Sequence, residues 1–204
     1  MITIVDYGMG NLGSVASMLR RIEADCEVTG DPARIARAER ILLPGVGAFD
    51  AAMERIESSG LRPVLDRKAL EERVPVLGIC LGMQLLTASS EEGVRPGFGW
   101  IPGRTRRIPT APGIRVPHMG WNEVEVARES RLTRGLAGDV RFYFVHSYCV
   151  HADDQADVIL RSRHGIGFAA AVERGNVMGA QFHPEKSHRF GMQLLRNFAE
   201  MTPC

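Results

Sequence analysis

The sequence predicts an α/β fold: a mostly parallel sheet flanked by helices, with antiparallel strands in the second half. Three observations carry this. Runs of apolar, β-branched residues alternate with helix-period stretches through roughly the first ninety residues. Glycine-containing turns join the strands to the helices that follow them. From Gly93 to Gly113 the chain turns rich in Gly, Pro and Arg, and short strands and a hairpin signal follow.

Taken in order, Ile2 to Asp6 is a buried strand, and Gly8 to Gly13 turns the chain. Val15, Met18, Leu19 and Ile22 then recur at helical spacing, giving a helix from Leu12 to Ile22. A short strand at Cys26–Thr29 precedes Asp31-Pro32, an N-cap followed by a proline at the first helical position. Ile41-Leu42-Leu43 is a strand expected to stop at Pro44-Gly45. Ala48–Ser58 and Leu61–Arg73 read as helices separated by Gly60, Val74–Ile79 as a buried strand, and Cys80–Ala88 as a helix.

The stretch from Gly93 to Gly113 is expected as loop and short edge strands, with Arg104–Arg107 a solvated or partner-facing loop. Strands follow at Asn122–Val126, Val140–Val150, Asp157–Arg161 and Gly167–Val172. Glu173-Arg174-Gly175-Asn176 is a hairpin turn into Val177–Phe182, and Ser187 caps a last helix whose apolar stripe is Met192, Leu195 and Phe198. With 204 residues, no repeat and no linker composition, one domain spanning 1–204 is expected.

Composition narrows the function classes. Apolar residues make up 45% and charged residues 24%, ordinary globular usage that argues against disorder. The net charge is +1, so no overall field gathers nucleic acid or an anionic membrane surface. No apolar run reaches the ~18 residues of a membrane helix, and Met1–Asp6 has neither basic leader nor cleavage site. Cys26, Cys80, Cys149 and Cys204 are scattered, which suits reduced thiols in a cytoplasmic protein. The histidines and cysteines lack zinc-like spacing, so no metal is expected.

Three motifs compete for the chemistry. Gly8-Met9-Gly10-Asn11-Leu12-Gly13 matches the dinucleotide fingerprint Gly-x-Gly-x-x-Gly between a strand and a helix, with Asp31 near the end of the second strand. Its bland alternative is a tight βα-turn that brings strand and helix close. Gly78-Ile79-Cys80-Leu81-Gly82 has the layout of a nucleophile elbow with cysteine in place of serine. The turn leaves no room for a Cβ two residues either side, lifts the thiol above the sheet edge and sets it at a helix N-terminus, which favours thiolate. The next N–H points to where an oxyanion would form. A buried core cysteine is the alternative here. In Gln181–Ser187, His183 can act as base and Glu185, two residues on, can orient it; a surface histidine beside an unrelated acid is the alternative. Cys80 and His183 support one another, since both fall at carboxyl ends of parallel strands, where α/β sheets hold ligands.

Gly78–Gln84, Phe182-His183-Pro184-Glu185 and Pro44-Gly45-Val46-Gly47 together resemble a class I glutamine amidotransferase domain. Asp6–Leu12, His118-Met119-Gly120-Trp121-Asn122 and Tyr143–Tyr148 bring the chain closer still to the glutaminase subunits of imidazole glycerol phosphate synthases. The resemblance runs over essentially the whole chain. It implies Cys80 as nucleophile on the L-glutamine carboxamide, His183 as proton shuttle and Glu185 as its orienter. It implies an oxyanion hole from the N–H groups of Val46 and Leu81, and a glutamine pocket containing Gly47, Gln84, Ser147 and Tyr148. It further implies a heterodimer with a (β/α)8 cyclase subunit, ammonia channelling in histidine biosynthesis, and no cofactor. Asn11, His118, Met119, Trp121, Asn122 and Lys186 would then face that partner, as would the Gly8–Gly13 loop. Glycine on both sides of Val46 lets its peptide rotate at little steric cost, so partner binding could switch the oxyanion donor into place. Three other readings stay open: a paralogue feeding another synthase, such as one of surface-sugar biosynthesis, a free-standing cysteine hydrolase, and a nucleotide-binding module.

Overall fold

In the computed structural model, which describes residues 1–202, the first half of the chain alternates strand and helix. The elements are β1 (Ile2–Val5), α1 (Leu12–Arg21), β2 (Cys26–Thr29), α2 (Pro32–Ile35), β3 (Ile41–Gly45), α3 (Phe49–Ser58), α4 (Leu61–Asp66), β4 (Val76–Cys80) and α5 (Leu81–Leu85). The second half is mostly strand: β5 (Ser89–Ser90), β6 (Gly103–Arg107), β7 (His118–Glu123), β8 (Glu125–Val126), β9 (Arg141–His146), β10 (Tyr148–Ala152), β11 (Val158–His164), β12 (Ile166–Arg174) and β13 (Val177–Ala180). Helix α6 (His188–Ala199) follows.

The main sheet runs β2-β1-β3-β4-β13-β12-β11-β8. It is parallel from β2 to β13 and antiparallel from β12 outward, the mixed arrangement expected. Strand alternation sends side chains to both faces, and each face is covered by helices. Ile2, Ile4, Leu42, Leu77 and Ile79 pack with Val15, Leu19, Leu194, Leu195 and Phe198 of α1 and α6. Val5, Leu43 and Val76 pack on the other face with Phe49, Met53, Ile56, Leu61 and Leu65 of α3 and α4. Two smaller sheets, β10-β6-β5 and β7-β9, lie beside this core.

Several elements depart from the sequence reading for identifiable reasons. β3 does not stop before Pro44 but continues through Gly45, with Pro44 opposite Ile79 and Gly45 opposite Cys80. On its other side β3 pairs with β1 only through Ile41 and Leu42, so proline's missing N–H disturbs no ladder there. The helix expected over Leu61–Arg73 ends as α4, and Arg67–Glu71 relaxes into a π-helical turn. Arg104–Arg107 is not loop: it belongs to β6, where Thr105 turns inward and Arg104 outward. The strand expected at Asn122 begins four residues earlier, at His118. Val140–Val150 is two strands broken at Ser147. Ser187 precedes α6 but makes no side-chain cap; its hydroxyl donates to the His183 carbonyl (2.7 Å) and accepts from the Tyr143 N–H (3.0 Å). Cys204 lies outside the described residues.

Candidate active site

The carboxyl ends of β3 and β4 and the segment after β13 meet at one edge of the parallel region, and a cleft of about 390 Å3 opens there. Cys80 and His183 line it, together with Val46, Gly47, Leu81, Gln84, Ser147, Tyr148 and Lys186. The first half of the chain supplies the nucleophile turn, the second half the histidine.

Cys80 ends β4 with φ +55° and ψ −110°, a backbone conformation few non-glycine residues adopt. The flanking glycines explain how it is held. A Cβ on Gly82 would lie 1.8 Å from the Leu43 carbonyl oxygen, and one on Gly78 2.5 Å from the Gly82 carbonyl oxygen. Both positions therefore need glycine for space, as the elbow reading requires. The helix that follows, α5, spans only five residues, so the turn supplies backbone N–H groups and geometry more than a long macrodipole. The Cys80 thiol donates to the Val145 carbonyl (3.7 Å) and accepts from Gln181 Nε2 (3.9 Å).

His183 Nδ1 donates to Glu185 Oε1 at 2.8 Å, and both side chains are nearly sealed from solvent. That bond leaves Nε2 for the thiol. Burial pushes the imidazole pKa down, but the Cys80 thiol and the Glu185 carboxylate outweigh it and raise it to about 9. Glu185 Oε2 is buried without a hydrogen bond, so the carboxylate's pairing is directed at His183 alone. The segment carrying the pair is fixed from β9: the His183 N–H donates to the Tyr143 carbonyl (2.9 Å), and Ser187 bridges the same strand.

The Pro44–Gly47 segment forms the opposite wall. Gly45 is glycine for space, since a Cβ there would meet the Tyr7 hydroxyl at 2.6 Å and Gly82 N at 2.9 Å. Gly47, with φ +104°, is glycine for conformation. Only the second half of the expected hinge therefore has unusual dihedrals. Tyr7, which the sequence reading did not single out, is buried and donates to the Pro44 carbonyl at 2.7 Å. Its burial, reinforced by the nearby Cys80, pushes the phenol pKa well up, so it stays a neutral donor beneath this wall.

The remaining expected residues divide. Gln84 is buried, and its Nε2 serves the Tyr148 carbonyl (3.1 Å) and Gln181 Oε1 (3.2 Å). Asn11 caps α1 from an exposed position, Met119 and Trp121 are exposed, and Lys186 is exposed at the cleft rim, 5.7 Å from the Tyr143 ring centroid. His118 is a correction: its side chain is 4% exposed and turned inward, because odd and even positions of β7 face opposite ways. Asn122 shares that inner face and is half-buried. The structure also adds cleft residues that the sequence reading gave no site role: Glu92 and Pro117, outside every motif, and Val145 and His146, inside the Tyr143–Tyr148 segment. Glu92 follows α5 and β5 in the chain, and its Oε2 accepts from the Phe49 N–H at the start of α3 (2.9 Å). The Gly8–Gly13 loop is tied down by the Gly8 N–H to Asp6 (2.8 Å) and by Arg55 to the Gly8 carbonyl (2.8 Å). Among the described residues no cluster of three or more His, Cys, Asp or Glu is placed to hold a metal ion.

His146 is the other histidine lining the cleft. Burial, chiefly, holds its pKa at about 3, and the similarly buried His118 sits at about 4. Both ring nitrogens of His146 are engaged, Nδ1 to the Tyr148 carbonyl and Nε2 to His118, so it cannot serve the thiol. These three histidines set opposing pH slopes. His118 and His146 have folded pKa values below the unfolded one, so their stability is present above about pH 6.5 and is lost as pH falls toward about 4 for His118 and about 3 for His146. His183 is the reverse: its contribution is present below about pH 6.5 and is lost as pH rises through about 9. Thermal unfolding midpoints across this window should therefore fall on both sides of a maximum near neutrality, and His183→Gln should flatten the alkaline limb. An alkaline limb unchanged by that substitution would contradict the assignment.

Comparison with known proteins places this geometry. Residues 3–201 match the family model for glutamine amidotransferase class-I. The chain is 48% identical over 204 residues to the imidazole glycerol phosphate synthase subunit HisH of Bdellovibrio bacteriovorus, covering 98% of this chain and 100% of that one. It is equally 48% identical over 202 residues to the subunit HisH 2 of Pseudomonas aeruginosa, covering 99% and 100%. Among solved structures, a glutamine amidotransferase superposes with a TM-score of 0.75 at 20% identity, covering 98% of this chain and 97% of that one. PurLQS from Thermotoga maritima does so with a TM-score of 0.73 at 21% identity, covering 97% and 96%. These two likenesses bear on the fold alone.

Proposed function

The chain belongs to the class I glutamine amidotransferase family, and on that premise we propose that Cys80, His183 and Glu185 hydrolyse L-glutamine. It is the glutamine-hydrolysing subunit of an imidazole glycerol phosphate synthase, as its near-full-length relatives are named. The observation that carries the catalytic assignment is the strained turn at Cys80 facing the buried His183–Glu185 pair across one cleft.

The chemistry follows from the residues. His183 Nε2 takes the thiol proton, and the sulfur attacks the carboxamide carbon of glutamine. Negative charge developing on the carbonyl oxygen falls to the N–H groups of Leu81 and Val46. His183 passes its proton to the leaving nitrogen, the C–N bond breaks, and ammonia departs from a glutamyl thioester. A water deprotonated by His183 then attacks the thioester, releasing glutamate and the thiol. Glu185 keeps the imidazole in the Nδ1–H tautomer and stabilises its cation throughout. In the cleft, Gly47, Gln84, Ser147 and Tyr148 surround the substrate, and the Glu92 carboxylate is placed to receive its ammonium group.

Free ammonia is mostly protonated at neutral pH and then has no lone pair to offer. A (β/α)8 cyclase subunit docked over Asn11, Met119, Trp121 and Lys186 would receive it before it escapes to water. Such a heterodimer would work in the cytoplasm; no helix among the described residues is long and apolar enough to cross a membrane. The rival reading of a paralogue serving another synthase has no observation in its favour.

Gating is tested by measuring glutamine turnover by the chain alone and with its cyclase partner and nucleotide ligand. Loss of one oxyanion donor slows such reactions ~10²–10³-fold, so a Val46 N–H turned away at rest gives an activation of about 10² or more. Equal turnover with and without partner would return the chain to the class of free-standing hydrolases.

A further inference from the structure

A line of side chains runs from the exposed strand β7 to the thiol, and every hydrogen in it has one allowed direction. At its inner end, Gln181 Nε2 donates to Cys80 Sγ, so Gln181 Oε1 is the acceptor. That oxygen receives one N–H of Gln84, whose other N–H goes to the Tyr148 carbonyl. The same carbonyl accepts from His146 Nδ1 (2.8 Å), which makes His146 Nε2 an acceptor. Only an N–H can satisfy it, so His118 Nδ1, 2.9 Å away, is the donor. His118 Nε2 then accepts from Asn122 Nδ2 (3.2 Å), and the second amide hydrogen of Asn122 goes to the Arg163 carbonyl (2.9 Å).

The two histidines are direct cross-strand partners on β7 and β9 and are almost fully buried. Rings pack around them: His118 stacks on Phe144 (4.9 Å) and His164 (4.2 Å), and Phe168 lies against His146 (5.1 Å). His164 is itself fixed, its Nε2 donating to the Arg115 carbonyl. An apolar core could have closed this site without any of these polar atoms. A fully satisfied buried network instead fixes one geometry, because reversing any member leaves two donors or two acceptors face to face.

We propose that Asn122, His118 and His146 are positioning residues for glutamine hydrolysis, forming a hydrogen-bond line that sets the Tyr148 wall of the cleft and the Gln84–Gln181 amides behind Cys80 from the strand whose other face carries Met119 and Trp121. None of the three touches the reacting atoms. A shift of β7 under a docked partner moves His118 and Asn122 directly and is passed to the cleft through His146. This role rests on the glutaminase reading for its consequence, while the line itself is a property of the fold.

Two measurements separate these. In the unmodified full chain, two-bond nitrogen–proton NMR on the histidines should show His118 and His146 neutral and in the Nδ1–H tautomer near neutral pH; an Nε2–H tautomer at His146 breaks the line and overturns the proposal whatever the chain catalyses. The second measurement is glutamine turnover by the chain with its cyclase partner. His118→Leu should raise KM ~10-fold, about the worth of one or two buried hydrogen bonds, with kcat changed far less. His118→Asn keeps a donor near the Nδ1 position and should bring KM most of the way back. An unchanged KM in a folded His118→Leu chain, or failure of Asn to do better than Leu, overturns the positioning role. If the unmodified complex releases no ammonia while the tautomers are as stated, the glutaminase reading fails and the line stands.

Discussion

Cys80→Ala is expected to abolish ammonia release from glutamine, a loss on the order of 10⁵-fold or more in kcat, since removing one member of a catalytic unit costs nearly as much as removing all. The substitution deletes only the sulfur, and Ala retains the Cβ that the φ +55° turn already accommodates. The fold should therefore survive, and glutamine should still bind the cleft. Cys149 is the control of the same chemistry. It is fully buried, and burial, reinforced by Glu91, raises its pKa to about 11, so at neutral pH it stays a protonated thiol even with His151 Nε2 3.7 Å from its sulfur. Cys149→Ala should keep activity, with at most a modest loss of stability from the space it leaves. Steady-state ammonia release by both variants, alongside their unfolding midpoints, checks the contrast; retained turnover in a folded Cys80→Ala chain would move the nucleophile elsewhere.

His183→Ala should cost nearly as much, because both thioester formation and its hydrolysis need a proton carrier at Nε2. His146 cannot substitute, held as it is between Tyr148 and His118. Glu185→Ala should cost one to two orders of magnitude less than His183→Ala, since nucleophile and base remain while the orientation of the ring relaxes. The pH profile adds a second signature. With the carboxylate removed, the imidazole loses one of the two partners that raise its pKa, so the limb of the kcat/KM profile that reports His183 should move to lower pH. Equal losses in the two variants would show that the carboxylate does more than orient.

What the sequence made legible was whatever depends on local steric rules. Gly78 and Gly82 could be read as an elbow because the clash with Leu43 and with the turn itself is a matter of backbone geometry, and the structure gives those clashes as distances. The βα alternation up to α5 was legible for the same reason. Three features were not. β3 runs on through Pro44 because its neighbour β1 has already diverged, which only the sheet order reveals. Glu92 reaches the cleft from a loop after β5, outside every motif, and Tyr7 supports the Pro44 wall from the loop after β1 without a role legible in its own segment. His118 lay in a segment legible as surface, yet strand pairing with β9 turns its ring inward onto His146. Pairing register is long-range information, and a run of six residues does not carry it.

The central claim is that one thiol, Cys80, forms the bond to the substrate carbonyl. The most direct test is to incubate the complex of chain and cyclase partner with a glutamine analogue bearing an electrophilic diazoketone in place of the carboxamide, and to map the modified peptide by mass spectrometry. The account predicts a single adduct per chain, on Cys80, formed in parallel with loss of turnover and slowed by excess glutamine. Label on Cys26 or Cys149, or full inactivation with Cys80 unmodified, would contradict it.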